Sequence, residues 1–464
     1  MITSVNQFLT YLGLAEAGVG TATVVALYTP LALKQTEEVN SILSATRKFY
    51  NKSGMLFLAL TLVLIGVYPF FISGQLENSL VRWMILVLAG STLVDYFFLG
   101  KYRVLLTANQ EGYVVALIQA AGTIVNMVVS IFLIYIGAGV LFVKAVATGV
   151  YMLRLVLVKI YVKRKYPALD FYAEPNEGAL KQKNAALLHQ VVGIIVNNTD
   201  TTVLTICLGA KSLLEVSVYG IYMMVVNAVN QLMTSFSNGL TAGFGEVIAK
   251  NEEETLKKSY SSYEYMYFVI MFIVIACMGV LILPFVGVYT INLTDVQYVR
   301  PVLGILFTLI VFMQNVRIPG LTIICAAGHY KETRYQAILE AVINITVSLG
   351  LVWKFGMAGV LLGTVCSYGY RSFEIVFYTS RHLVKGCAKK SMFRILRNVF
   401  TVAILCTVGT YVIPQEITSF TTWFLYAIGM GLTSVFFVVV INYVVEPDEF
   451  MQLRHRVNDI IKKE

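Results

Sequence analysis

Apolar residues run along this chain in blocks too long for a water-soluble core and too continuous for strands. Uncharged stretches extend from Ser53 to Leu76, Gly112 to Val143, Val216 to Gly245, Tyr265 to Thr294 and Ile417 to Val445, and about 20 apolar residues cross a bilayer as a helix. A strand barrel would need alternating segments of about ten residues. Helices, which satisfy their own backbone hydrogen bonds, are therefore the expected way through hydrocarbon. The pattern predicts about thirteen spans, centred in 6–31, 54–75, 80–100, 112–136, 138–161, 185–209, 215–243, 262–289, 299–325, 333–353, 357–380, 394–414 and 420–444. The longest polar connection, 163–183, is too short to bury a core of its own, so no soluble domain is expected.

Composition agrees: of 464 residues, 58% are hydrophobic and 13% charged, against about 25% charged in soluble domains. The predicted class is an all-α integral membrane protein. Six cysteines stand singly, mostly within apolar runs, without the spacing of a metal site or disulfide framework, and read as packing residues. No leader with a small-residue cleavage site precedes the first span.

Charge sets the orientation. If the loop after the first span is cytoplasmic, 26 of the 35 basic residues fall inside, four outside (Arg82, Lys211, Arg300, Lys354) and five within spans (Lys144, Arg154, Lys159, Arg317, Arg371). The positive-inside rule selects this arrangement, with a cytoplasmic C-terminus. The net charge of +9 is then a topology signal, and nucleic acid is not expected as a partner. An odd number of spans leaves the N-terminus outside, so a further upstream helix is expected.

The sequence also repeats itself. Asn126 and Ser130 correspond to Asn344 and Ser348 at an offset of 218, and Gly139-Val140-Leu141 to Gly359-Val360-Leu361 at 220. Lys34, Glu37 and Glu38 recur as Lys250, Glu253 and Glu254 at 216. Matched spans lie an even number apart, so the halves share one orientation about an axis along the membrane normal. The expected organisation is an N-terminal bundle at 1–165, a second bundle at 166–385, extra transmembrane helices at 386–445 and a cytoplasmic amphipathic tail at 446–464, with a central cavity between the bundles.

Polar residues at bilayer depth are costly and point to function. Asn227, Asn230, Gln231, Thr234, Asn238 and Thr241 recur on one helix face; they line a cavity or serve as interhelical hydrogen-bond glue. The run Asn197-Asn198-Thr199-Asp200-Thr201-Thr202 implies local unwinding or wet surroundings. Asp200, with Asn197, Asn198 and Glu16, is a candidate for holding a small cation or proton; a structural polar knot is the alternative. Lys144, Arg154, Arg317 and Arg371 are embedded cations, and arginine's planar fork suits phosphate oxygens. Some of them are available to embedded acids such as Asp95, Asp200, Glu340 and Glu374, and Arg371 lies three residues from Glu374, on one face. As a set they suit an anionic substrate. The four histidines have no ligand partners at metal spacing and no phosphate-cradling Gly-Lys-Ser/Thr loop occurs, so neither a catalytic site, a cofactor nor a metal is expected. The tail from Glu446 places Phe450, Leu453, Val457, Ile460 and Ile461 near one stripe, as in a helix lying on the membrane surface; a solvated tail is the alternative.

The blocks LGLAEAGVGTATVVALYTPLA, NNTDTTVLTICLG with VSVYGIY, and RIPGLTIICAAGHYKETRYQAILEAVINITVSLGLVWKFGMAGVLLGTVCS resemble bacterial polysaccharide repeat-unit flippases. These belong to the superfamily that holds the MATE multidrug exporters and lipid II flippases. The resemblance covers nearly the whole chain. It implies a V-shaped pair of six-helix bundles with extra C-terminal helices in the bacterial cytoplasmic membrane. It also implies movement of an undecaprenyl-diphosphate-linked oligosaccharide to the outer leaflet for assembly of a cell-surface polysaccharide, whether capsule, exopolysaccharide, O-antigen or teichoic acid. Coupling would be to Na+ or H+, with membrane lipids, a polysaccharide polymerase and glycosyltransferases as partners. Family members usually have fourteen spans and begin one helix before the LAEAGVG block, where this chain departs from the pattern. A MATE-like exporter of amphiphilic cations is the alternative and should show a predominantly acidic cavity; a membrane enzyme of glycan assembly is disfavoured because catalytic loops are missing.

Overall fold

The computed structural model describes residues 9, 12–13, 19–71, 78–176, 178, 183–208, 212–237, 240–250, 252–293, 295–414 and 417–451. Within them the chain is helical: α1 (Val19–Ala32), α2 (Thr36–Phe71), α3 (Asn78–Val94), a π-helical turn (Asp95–Leu99), α4 (Gly100–Ala108), α5 (Gly112–Tyr135), α6 (Val140–Lys165), α7 (Lys183–Cys207), α8 (Ser212–Ser237), α9 (Leu240–Ala249), α10 (Glu253–Tyr289), α11 (Pro301–Val316), α12 (Ile318–Ala326), α13 (Arg334–Phe355), α14 (Met357–His382), α15 (Ala388–Val412) and α16 (Phe420–Val445). Ten helical segments among the described residues are long and apolar enough to cross a membrane. α7 and α14 have spanning length too, but polar and charged side chains break their apolar runs.

The apolar surface lies outside. α5 buries only Val114, while Leu117, Ile124, Met127, Val128, Ile131 and Phe132 are exposed. Soluble proteins do not present contiguous apolar faces on this scale, and a bilayer is the solvent that accepts them. This is a multi-pass membrane protein.

The chain forms two compact units. The first comprises residues 1–191, 242–250 and 328–331, and the second 192–241, 251–327 and 332–464. In the first unit α1, α2, α4 and α6 close around Leu27, Ile42, Leu43, Leu105, Leu106, Val158 and Val162. In the second, the 37-residue α10 is the central post, packed by α8, α11, α15 and α16.

The repeat is visible in the geometry. The α5–α6 hairpin turns through Gly137 (φ +79°) and the α13–α14 hairpin through Gly356 (φ +56°), 219 positions apart; a positive φ is one that glycine adopts without steric cost. The second hairpin is the tighter. Asn344 and Ser348 are fully buried, with Ser348 Oγ donating to the Val360 carbonyl at 3.1 Å. Their counterparts Asn126 and Ser130 are only half-buried.

Several helices differ from the sequence expectation at their ends. α2 and α10 begin at Thr36 and Glu253 rather than near 54 and 262, because acidic residues in the first turn stabilise helix starts well before the apolar run begins. The span expected at 299–325 is divided at Arg317 into α11 and α12, where Pro319 supplies no backbone donor. The tail expected at 446–464 falls partly outside the described residues. Its described start is tied to the second unit by ion pairs of Glu446 with Arg394 and Arg397 and of Glu449 with Lys390.

Candidate functional site

The second unit joins several buried polar residues into one network. Asp200, 4% exposed, accepts hydrogen bonds from Thr364 Oγ1 at 2.8 Å and Tyr219 Oη at 3.2 Å. Asn344 donates to Thr364 Oγ1 at 3.0 Å, extending the chain of contacts into α13. One helical turn before Asp200, Asn197 Oδ1 accepts from Tyr368 Oη at 3.0 Å. The guanidinium of Arg317 lies 4.4 Å from the Tyr368 ring centroid, and it pairs with Glu340. Glu340 also lies 3.5 Å from Arg371 Nε, and Arg371 pairs in turn with Glu374, on the same helix face as their spacing predicts. Buried charges need partners of this kind.

The polar run 197–202 does not unwind α7, whose helix is continuous there. Asn198 Nδ2 and Thr199 Oγ1 donate to the carbonyls of Ile194 and Ile195 at 2.7 and 2.6 Å, and Thr202 to that of Asn198 at 3.0 Å. Back-bonding of this kind satisfies short polar side chains within a helix. Asn198 is thereby committed to its own helix, while Asn197 and Asp200 reach α14. Glu16 lies outside the described residues.

On α8, Asn230 is interhelical glue: it donates to Gln314 Oε1 and accepts from Asn315 Nδ2, both at 2.9 Å. Asn227, Gln231 and Thr234 occupy exposed positions on the same stripe, a polar face at bilayer depth. Asn238 lies outside the described residues.

Two cations of the first unit are held differently. Lys144 is half-buried and, among the described residues, has no carboxylate partner. Arg154 is also half-buried; it donates to Thr123 Oγ1 at 3.1 Å and lies 5.3 Å from the Tyr151 ring centroid, while its Nε has no acceptor among the described residues. A β-carbon at Gly122 would collide with that side chain. At the repeat offsets of 218 and 220, Gly122 stands where the second unit has Glu340, and Arg154 where it has Glu374. The acid that neutralises two arginines in one half is thus a glycine in the other, and an acidic position has become cationic. Sequence reasoning missed this exchange, although the offset that reveals it was already present in Asn126 and Asn344.

The structure brings together Asn197, Asp200, Arg317 and Arg371 from α7, the α11–α12 junction and α14. It places Lys144 and Arg154 separately, on α6 of the first unit.

No family model and no curated protein matches the sequence. Solved structures do match in fold. A mutant of the Vibrio cholerae MATE transporter VcmN aligns with a TM-score of 0.64 at 14% identity, over 82% of this chain and 89% of that one. The eukaryotic MATE transporter AtDTX14 aligns at 0.61 and 14%, over 85% and 90%. A MOP superfamily transporter from Pyrococcus furiosus, described as having a binding pocket of reversed polarity that suggests a different function, aligns at 0.55 and 12%, over 86% and 87%. The chain has the helical fold of MATE transporters.

Proposed function

We propose that this protein is a flippase that moves undecaprenyl-diphosphate-linked oligosaccharide repeat units across the bacterial cytoplasmic membrane by alternating access, for assembly of a cell-surface polysaccharide. The observation that supports this reading is the unequal treatment of intramembrane charge: Arg317 and Arg371 carry acidic partners, whereas Lys144 and Arg154 have none among the described residues. A cation at bilayer depth without a counterion is stable beside water or an anionic ligand, and a diphosphate supplies two acceptor groups for a lysine and an arginine. The exposed amides of Asn227 and Gln231 suit sugar hydroxyls, and Asn230 and Asn238, which recur with them in the sequence, complete the candidate set. Arg317 and Arg371 then hold the second unit's helices in place, and contact with the substrate would require Glu340 to release one of them.

Coupling to Na+ or H+ is assigned to Asp200, with Asn197 beside it; Asn198 and Glu16 complete the candidate set. The proposed bundles are 1–165 and 166–385, with 386–445 as extra helices and 446–464 as the cytoplasmic tail. A polymerase and glycosyltransferases would act on either side of the translocation step.

A second reading, a MATE-like exporter of amphiphilic small molecules, is favoured by the named transporters that share the fold and by the buried carboxylate of Asp200. Reconstituted vesicles separate the two. Accumulation of a lipid-diphosphate oligosaccharide in the opposite leaflet, lost in Arg154→Ala, supports the flippase. Transport of a cationic dye without lipid movement would replace it with the second reading.

A further inference from the structure

At one end of the first unit a pocket of about 810 Å³ opens between α2, α4, α6 and the segment that follows α6. The positive-inside pattern assigns this end to the cytoplasm. Four cations line it: Arg47, Lys101, Lys159 and Lys163. Among the described residues none of the four is paired with a carboxylate. Asp170 is the acid in the wall, and its Oδ1 accepts from the Tyr172 backbone N–H at 2.8 Å. Like charges gathered around a concave space repel one another unless an anion joins them.

The rest of the pocket is aromatic. Arg47 lies 3.8 Å from the centroid of the Tyr172 ring, and its Nε is buried without an acceptor among the described residues. Lys101 Nζ lies 5.2 Å and 5.6 Å from the centroids of Tyr102 and Phe171. Phe97 and Phe98 complete the wall and belong to the π-helical turn Asp95–Leu99, a distortion that is frequent at functional sites. Phe98 is 53% exposed, so the pocket has an apolar margin beside its cationic floor.

We propose that this pocket binds the phosphoryl headgroup of an anionic membrane lipid. The guanidinium of Arg47 and the three ammonium groups would hold the phosphate oxygens, and the aromatic margin would hold the start of the acyl or prenyl chain. Basic pockets between transmembrane helices on the cytoplasmic side recognise lipid headgroups in this way. The inference concerns binding alone and stands whether or not the transported molecule is lipid-linked.

The test is binding to the full-length protein in detergent, with bound lipid counted by native mass spectrometry. The probes are phosphatidylglycerol, phosphatidylcholine and inorganic diphosphate. Phosphatidylglycerol is expected to bind about tenfold more tightly than phosphatidylcholine, and Arg47→Gln/Lys101→Gln is expected to abolish that preference. Lys159→Gln/Lys163→Gln, at exposed positions, repeats the test without touching buried atoms and should weaken binding about tenfold. Lys257→Gln/Lys258→Gln removes the same charge from an exposed part of the second unit and should leave binding unchanged. Equal losses from the pocket and control pairs, or no preference for the anionic lipid, would overturn the site. Displacement of the lipid by micromolar inorganic diphosphate would assign the pocket to a soluble phosphate and overturn the lipid assignment.

Discussion

Gly122 makes room for Arg154: the side chain of the arginine crosses from α6 onto the glycine of α5, where any β-carbon would strike it. Gly122→Ala should therefore displace the guanidinium without changing charge. Losing a buried charge-assisted contact typically costs about 2–5 kcal/mol, so substrate binding is expected to weaken by at least about tenfold. Arg154→Gln should do the same, and Arg154→Lys should recover part of it, because charge returns without the planar fork. Binding of a lipid diphosphate to purified protein measures all three. Wild-type affinity in Arg154→Gln would remove this residue from the substrate site.

Glu340 sits between two arginines, so its loss should matter more than the loss of either one. Breaking a buried pair by removing one partner costs about 3–5 kcal/mol. Glu340→Gln should lower the detergent melting temperature more than Arg317→Gln, since it strands Arg317 and removes one of two acids beside Arg371. The double variant Arg317→Gln/Glu340→Gln leaves Arg371 paired with Glu374 and should regain most of the stability. If it also exports at the wild-type level, Arg317 has a structural role and no ligand role.

The fold was legible because hydrocarbon imposes one rule, a continuous apolar run per crossing, and uncharged stretches such as Tyr265–Thr294 obey it openly. The Arg371–Glu374 pair was legible for a similar reason, since both residues lie on one helix face. Partners on different helices were harder to find. Nothing in local spacing links Asp200 to Thr364, 164 residues away, or gathers Arg47, Lys101 and Lys163, which read only as topology signals. The back-bonded asparagine and threonines of α7 misled for a physical reason: side chains that look unsatisfied in sequence find their acceptors one turn back in the same helix.

Topology can be checked directly. In a background lacking the six native cysteines, single cysteines near Gly74, Thr294 and Gln415 should react with an impermeant thiol reagent applied to intact cells. Cysteines near Lys52, Lys183 and Lys390 should react only after permeabilisation. Outside labelling at Lys183 would invert the orientation derived from the basic loops.

The start of the tail should come loose in acid. Glu449 lies beyond the last span, and burial alone would raise its carboxyl above the usual range. Hydrogen bonds from Lys390 and Ser261, with the charges of Lys390 and Arg394, outweigh that effect and hold it below the ordinary value. A carboxylate whose pKa is depressed on folding stabilises the folded state above its unfolded pKa, and that contribution is lost as pH falls through the folded value. Docking of the tail should therefore be constant from neutral pH down to about 4.5 and weaken below it. Hydrogen exchange at the amides of residues 446–451 should accelerate over the same interval. Glu449→Gln should show fast exchange already at pH 7 and little further change on acidification, because its amide can accept from Ser261 but carries no charge for Lys390 and Arg394. Slow, pH-independent exchange in that variant would show that Glu446, through Arg394 and Arg397, holds the segment without help from Glu449.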